Sequence, residues 1–193
     1  MFQDTINQAT NLAEDTNKSF KEDKTMIITN NKTHDNSVTE VKLCFAGLMQ
    51  RYGKKPVIKS GIRYIATHDQ PTESAIYGII CRAMGIRRDD TEGLRYVQDN
   101  IRIESVTAVK PGEKMVDHCH NSYTGERSLR EYLADAEFEI VISGEKENIE
   151  EVCERLYYPV HPIYLGAENC IPMKPVLAEE EAYKMLRQHK GCR

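Results

Sequence analysis

One helix is specified more sharply than any other element of this chain, within the range Asp69–Asp90. Thr72 has the side chain of an N-cap, since its hydroxyl can accept a hydrogen bond from an amide of the first turn. Apolar residues then recur at helical spacing on one face, and Gly85 stands where a left-handed residue ends a helix. The apolar positions are Ile76, Ile79, Ile80, Ala83 and Met84. The stretch therefore predicts an amphipathic helix that packs one face on a core.

The length and the net charge of the chain limit the kind of protein that contains this helix. A chain of 193 residues supports one ordinary domain that buries roughly 70% of its unfolded surface. Its net charge is -4 and its pI about 5.9, whereas a protein that mainly binds phosphates is usually basic. The balance argues against free nucleic-acid binding as the whole role, although a local basic surface is compatible with it.

Cysteine usage and the absence of long apolar runs indicate the compartment. The six cysteines form no CxxC pair and predict reduced thiols of a cytoplasmic protein with no metal and no cofactor. The polar first residues predict no secretory signal, and no apolar run is long enough to cross a bilayer. The cysteines are Cys44, Cys81, Cys119, Cys153, Cys170 and Cys192.

Three segments follow from the distribution of polar residues. Residues 1–40 are too polar to offset their ordering entropy and predict a flexible arm. Its first turns place Phe2, Ile6, Ala9 and Ala13 on one helical face, which fits either a short docking helix or a frayed leader. Residues 41–176 are the predicted folded domain, and residues 177–193 a helical tail.

Within the domain, alternating and helical patterns predict an α+β fold. The order is strand, helix, strand, strand, helix, strand, which is the ferredoxin-like or RRM-like arrangement of an antiparallel sheet with helices on one face. RNA-recognition modules of this shape commonly use the open face, but the topology alone licenses no function. The predicted strands are VKLCFAG from Val41, the extended segment 57–66, then 100–109, 115–120, 133–143 and HPIYLG at 161–166, and the further helices are 90–99 and 149–156.

Four separated blocks of this sequence carry a family resemblance. They are LCFAGLMQRYG at 43–53, PTESAIYGIICRAMGIRRDD at 71–90, REYLADA at 130–136, and YLGAENCIP at 164–172. Together they resemble the CasD family, the guide-RNA subunits of type I-E CRISPR Cascade in the RAMP superfamily. The resemblance implies a non-catalytic subunit that holds the 5′ handle of the CRISPR RNA, caps the row of backbone subunits and meets the large subunit.

The resemblance and the basic stretches together name a set of RNA-binding residues. Glycines in the first and last blocks let bare backbone approach a phosphate or adopt a left-handed turn. Lysines and arginines between 54 and 63 lie beside Tyr52 and Tyr64, whose rings are able to stack on bases. The predicted set is Gly47, Gln50, Lys54, Lys55, Lys59, Arg63, Arg82, Arg87, Arg88, Arg127, Arg130 and Gly166.

The positions at which this sequence departs from the family pattern all weaken the predicted binding of RNA. Glu73 and Glu168 stand where the family has basic residues, the protruding thumb hairpin is shortened to 120–129, and Trp is absent. Exchanging a base for an acid at two phosphate contacts costs on the order of a few kcal/mol. An acid in the first turn of a helix is also favoured by the helix dipole, by about 0.3–1 kcal/mol, which gives Glu73 an alternative explanation.

Three functional hypotheses follow. The leading one is a decoy or replacement subunit that engages Cascade through protein contacts and inhibits interference. The alternative is a genuine subunit that binds the CRISPR RNA handle, with the segment 54–63 compensating for the lost cations. The third is a metal-free ribonuclease that uses His118 and His120, which share a face of a predicted strand beside Asp117.

Overall fold

A computed structural model describes residues 38–120, 123–178 and 180–182 of the chain. The predicted flexible arm lies outside the described residues, except that residues 38–40 already belong to the first strand. The predicted tail is described at 177–178 and 180–182, of which 180–182 are helical. The docking helix proposed for the first turns also falls outside the described part.

The observed elements confirm a mixture of strands and helices. In chain order they are β1 (Val38–Gln50), β2 (Val57–Lys59), β3 (Ile62–Ile65), α1 (Glu73–Met84), α2 (Thr91–Asn100), β4 (Ile101–Lys110), β5 (Glu113–His120), β6 (Arg127–Glu145) and α3 (Lys146–Tyr157). No helix among these residues is long and apolar enough to cross a membrane.

Helix α1 begins and ends as its sequence predicts. The Thr72 hydroxyl accepts a hydrogen bond from the Ala75 amide at 3.3 Å, which satisfies a donor that the first turn leaves unpaired. At the other end Gly85 has φ of 82°, a left-handed conformation that costs glycine little. Ile76, Ile80 and the other predicted apolar residues face inward, apart from the half-buried Met84. The predicted amphipathic helix is confirmed.

The sheet is built around β6. Strand β1 pairs along one side of it, while β4 and then β5 pair along the other, all antiparallel. Beyond the end of β1, β3 pairs with β6 in parallel, and β2 lies outside β3. The sheet is therefore mixed and not purely antiparallel as predicted, because the β2–β3 hairpin turns the chain back so that β3 runs in the direction of β6.

Cross-strand apolar pairs on one face of β1 and β6 make the centre of the core. Phe45 lies opposite Phe138, and Leu43 opposite Ile140, all fully buried or nearly so. Burying side chains of this size stabilises the fold by roughly 1.5–3 kcal/mol each. Helices α1 and α3 contribute further buried residues to the same cluster, among them Ile76 and Ile149. The predicted placement of helices against one face of the sheet agrees with this packing.

The predicted last strand, HPIYLG at 161–166, is wrong. This segment forms no strand, because Leu165 donates to the Cys170 carbonyl at 2.7 Å and Gly166 has φ of 89°, so that the chain closes a local turn. The free edge of β1 instead receives a later segment through an isolated bridge between Leu43 and Leu177. Among the described residues, the last strand of the ferredoxin-like order is thus replaced by this single bridge. The bridge lies closer to the C-terminus than the predicted strand.

The hairpin of β5 and β6 is longer than the predicted 120–129. It pairs Glu113–His120 with Arg127–Ala134, and almost every residue of β5 is exposed. The predicted strand 115–120 lies within β5, whereas β6 begins at Arg127, six residues before the predicted start at 133. The segment 120–129 is thus the outer end of a hairpin that pairs residues from Glu113 to Ala134.

Candidate nucleic-acid interface

Four of the twelve residues predicted to bind RNA lie on the half of the sheet away from the helices, namely Lys59, Arg63, Arg127 and Arg130. We call this half the distal sheet and define it as β2, β3, β5 and the segment Arg127–Ala134 of β6. Its strands carry exposed apolar side chains, including Ile58 with 70% of its surface accessible. Strands β2 and β5 of the distal sheet are therefore exposed on both faces, whereas Tyr132 and Leu133 of β6 remain buried.

The parallel pairing of β3 and β6 brings two basic segments together. Arg63 lies opposite Ser128 and Ile65 opposite Arg130, although these segments are more than sixty residues apart in sequence. Because alternate residues of a strand share a face, Arg63 and Arg130 lie on the same side of the distal sheet. Arg127 is three residues from Arg130 on the same strand and therefore lies on the opposite face. Arg63 has an exposed ion pair with Glu126 at 3.6 Å.

Lys54, Lys55 and Lys59 lie next to this group. The Lys54 amide donates to the Ala66 carbonyl at 2.7 Å, which fixes the loop against the segment after β3. The ammonium of Lys59 lies 4.1 Å from the centroid of the Tyr64 ring. Lys54 and Lys55 are exposed and form no ion pair with any residue that the structure describes. Their charges are free to meet a polyanion.

A half-buried carboxylate ties the distal sheet to the loop before α1. Glu131 accepts hydrogen bonds from the Tyr64 hydroxyl and, at 3.0 Å, from the Thr67 amide. Burial favours the neutral acid, but these two bonds and the nearby Lys114 outweigh it and lower the pKa of Glu131. Lys114 in turn pairs with Asp69 at 2.6 Å, which lowers the pKa of that carboxyl. Tyr64 is thus engaged within the fold.

Sequence reasoning missed Arg51, which the structure places at the centre of the site. Its guanidinium carbon lies 5.6 Å from the centroid of the buried Tyr132 ring. The Nε and Nη1 atoms of Arg51 and the Nε atom of Arg130 are buried without a hydrogen-bond partner among the described residues. The signal available in the sequence was the position of Arg51 in the matched block, directly before the stretch Tyr52–Lys55.

The turn at Gly166 packs directly on Arg51. The Arg51 amide donates to the Leu165 carbonyl at 3.1 Å, and a Cβ on Gly166 would lie 1.9 Å from the Arg51 carbonyl oxygen. A Cβ on Gly47 would lie 2.9 Å from Leu165. The missing side chains of both predicted glycines are therefore explained by contacts within the chain.

Gln50 belongs to the core, which corrects its prediction as an RNA contact. The residue is 0% exposed. Its amide donates to the carbonyls of Phe45 at 3.0 Å and Ala136 at 2.7 Å, and its oxygen accepts from the Tyr52 hydroxyl at 2.7 Å. Tyr52 is buried as well and is not placed to stack on a base. Both side chains fix the end of β1, from which Arg51 emerges.

The loop after Gly166 completes the surroundings of Tyr132. Asn169 donates to the Tyr132 hydroxyl at 3.3 Å. Burial raises the pKa of the Cys170 thiol, although the positive charge of Arg51 acts in the opposite direction. Glu168 is exposed on this loop and forms no ion pair with a described residue. Its negative charge therefore lies two residues along the chain from Gly166, which packs on Arg51.

The arginines at the end of α1 lie elsewhere. Arg82 donates to the Pro162 carbonyl at 2.5 Å and stacks on Tyr164 at 4.7 Å, so it holds the loop that leads to Gly166. Arg87 pairs with Asp89 at 3.2 Å and Arg88 is exposed. The structure brings Arg82 to the loop beside the site and leaves Arg87 and Arg88 at the surface.

Glu73 lines a cleft of about 580 Å³ between the loop before α1 and β4. The charged side chains of this cleft are mainly acidic, with Asp69 and Glu104 beside Glu73 and only His68 as a basic group. None of the residues predicted to bind RNA lines it. The acid at position 73 therefore lies in the first turn of α1, where the helix dipole favours it.

The histidines of the third hypothesis lie on the exposed strand β5. His118 is opposite Leu129 and His120 opposite Arg127, so both point to one face of the hairpin. Both side chains are exposed. Within residues 38–120, 123–178 and 180–182, no group of three His, Cys, Asp or Glu side chains is arranged to hold a metal.

The thiols of the described chain are free. Cys44, Cys81, Cys119, Cys153 and Cys170 form no disulfide, while Cys192 lies outside the described residues. Burial raises the pKa of Cys153 to about 12, which keeps its thiol protonated and inert.

Comparison with known proteins places this geometry in a family. Residues 41–191 match the family described as CRISPR-associated protein (Cas_Cas5). The CRISPR system Cascade subunit CasD of Escherichia coli (strain K12) is 28% identical over 153 residues, covering 66% of this chain and 65% of that protein. The chain thus spans about 65% of the length of this relative.

Two solved structures are similar in fold. One, from a CRISPR RNA-guided surveillance complex, has a TM-score of 0.58 at 24% identity and covers 72% of this chain and 62% of its own. The other, a crystal structure of Cas protein, has a TM-score of 0.53 at 25% identity. The match covers 77% of this chain and 69% of the chain in that structure. With the family match across most of its length, this chain is a divergent, CasD-like member of the CRISPR-associated Cas5 family.

Proposed function

We propose that the chain is a working, non-catalytic subunit of a type I-E Cascade in the cytoplasm and that its distal sheet binds the 5′ handle of the CRISPR RNA. One observation carries this proposal: the pairing of β3 with β6 brings Arg63 and Arg130 together on one face of the distal sheet. Single-stranded RNA is bound by such surfaces through its phosphates, and its affinity then falls steeply with salt. The backbone and large Cascade subunits are its proposed protein partners.

The observations that favoured a decoy are weaker in three dimensions. Glu73 lines a cleft that none of the predicted RNA-binding residues lines, and the segment 120–129 belongs to a hairpin that pairs residues from Glu113 to Ala134. The exposed Glu168, the net charge of -4 and the absence of Trp still favour poor RNA binding. The decoy therefore remains the second candidate, and reconstitution separates the two.

The first experiment measures RNA binding by the full chain. A labelled CRISPR RNA with its 5′ handle is titrated across a salt series, and the logarithmic slope is expected to reflect about 0.7 per neutralised phosphate. Replacing Lys54, Lys55 and Lys59 with Ala should flatten the slope and weaken binding. The control Arg95→Ala/Arg102→Ala removes exposed cations from α2 and β4, outside the distal sheet, and should change binding little.

The second experiment separates subunit from decoy. In a Cascade that lacks its own CasD-type subunit, the chain should restore guide retention and interference. When expressed beside a complete Cascade, it should leave interference unchanged. Failure to restore activity together with loss of interference in the complete complex would establish the decoy instead.

A further inference from the structure

The strongest unexplained feature of the described residues is a pair of half-buried arginines, each with buried nitrogen atoms that have no hydrogen-bond partner there. Arg51 has two buried nitrogen donors and Arg130 one that no described residue satisfies. A buried charged donor without a partner is strongly unfavourable, because it has lost water and gained nothing in exchange. In folded proteins such groups are usually completed by an ordered water, an ion or a ligand.

The surroundings of the two side chains limit what completes them. Arg130 and Tyr132 are alternate residues of β6 and share a face, and the guanidinium of Arg51 lies 5.6 Å from the Tyr132 ring. The two arginines therefore flank one buried aromatic ring. The fork of N–H donors on a guanidinium matches the oxygens of a phosphate better than those of a carbonyl or a hydroxyl.

The backbone around Arg51 is held rigidly. Gln50 before it is anchored by three core hydrogen bonds. The Gly166 turn bonds the Arg51 amide and leaves no room for a Cβ. A ligand in this position meets a preformed site, so little binding free energy is spent on ordering it.

We propose that Arg51 and Arg130 together bind one backbone phosphate of the RNA against the Tyr132 ring, in a water-poor site distinct from the exposed lysines at 54–59. This inference rests on the proposed RNA-binding function and specifies one of its contacts. The lysines contribute charge that salt screens, whereas the arginine site supplies directed hydrogen bonds to a single linkage.

The test compares Arg51→Met, Arg130→Met and the double variant with wild type, using Arg95→Met on α2 as a matched control. Each single substitution should weaken binding of the handle-bearing RNA by about 10- to 100-fold, as expected for hydrogen bonds to a charged group. The loss of RNA affinity in the double variant should be smaller than the product of the two single losses, because both side chains contact the same phosphate. Arg95→Met should stay within about twofold of wild type.

Two further readouts exclude a merely structural role. Without RNA, Arg51→Met should melt at or above the wild-type temperature, because it removes an unsatisfied buried charge and keeps an unbranched apolar side chain. A set of RNAs, each with one phosphate replaced by an uncharged methylphosphonate, should reveal one linkage whose neutralisation weakens wild type but not Arg51→Met.

The outcomes separate the two proposals. If wild type binds the RNA and both single variants bind like Arg95→Met, the arginine site is overturned while the RNA-binding function stands. A clear drop in the melting temperature of Arg51→Met would show that its guanidinium has an internal partner and would also overturn the site. If wild type does not bind the RNA, the proposed function and this site fail together.

Discussion

The two halves of the sheet are stabilised in different ways. Where the helices pack, β1 and β6 bury matched apolar pairs such as Phe45 and Phe138. In the distal sheet, β2 and β5 are almost wholly exposed and are held by backbone pairing and polar contacts such as those of Glu131. The difference indicates that the first half carries the stability of the domain, while the second presents charge and unsatisfied donors to a partner.

The outer face of the helix-covered half differs from the distal sheet in another way. Its cations are paired with neighbouring acids, Lys42 with Glu139 at 3.1 Å and Lys174 with Glu137 at 2.7 Å. The open sheet face that RNA-recognition modules use is thus neutralised where it adjoins β1. Next to the distal sheet, the exposed Lys54 and Lys55 form no ion pair with a described residue, although Arg63 and Lys114 within it are paired with acids.

The largest expected effect tests where stability resides. Phe138→Ala should lower the free energy of unfolding by about 3–5 kcal/mol, because it leaves a cavity between the sheet and the helices. The matched change Ile58→Ala in the distal sheet should alter it by less than about 0.5 kcal/mol, since that side chain is 70% exposed. Equal effects in urea denaturation would contradict the contrast between the halves.

A second prediction concerns the turn that joins the halves. Gly166→Ala should destabilise the chain by about 1–3 kcal/mol, since its φ is 89° and the new Cβ would overlap the Arg51 carbonyl. Gly125→Ala is the control, with a φ of 68° but open space around it. It should cost only about 1–2 kcal/mol from the left-handed conformation. Thermal melts of the two variants that coincide would show that the contact with Arg51 is unimportant.

A third prediction tests the polar anchoring of the distal sheet. Glu131→Gln should reduce stability at pH 7 by about 1–2 kcal/mol, because the charged acceptor of Tyr64 and Thr67 is lost. The folded-state pKa of Glu131 is lowered, so its stabilisation is present above the ordinary value of about 4.3 and is lost as pH falls through the folded-state pKa. Unfolding curves of the two proteins should therefore converge in acid. A difference that persists there would assign the effect to packing.

The smallest expected effect on stability is that of a substitution on the outer face of β1 and β6, where Lys42 is paired with Glu139. Lys42→Ala breaks an exposed ion pair with Glu139 and should change stability by less than about 0.5 kcal/mol. It should also leave RNA binding unchanged, because the lost charge was already balanced. A marked loss of RNA affinity in the same salt titration would extend the interface onto this face.

Elements governed by neighbouring residues were predictable from the sequence. The capped helix α1 and the helix α2 after Asp90 appear within one or two residues of their predicted ends, because capping and helical spacing act within a few positions. The family resemblance was equally accessible, since it depends on the order of short blocks. The turn at 161–166 was missed because its extended composition gave no sign of the contacts that bend it.

The site itself was decided by tertiary structure. No local pattern indicates that β3 pairs in parallel with β6 and brings Arg63 beside Arg130, because that pairing joins residues far apart in the chain. In the same way, Arg51 reads as one more surface cation until Leu165, Gly166 and Tyr132 close around it. Local sequence determined the helices and core strands through short-range hydrogen bonds and periodicity. Long-range packing alone determined which charges are neutralised and which are left for a ligand.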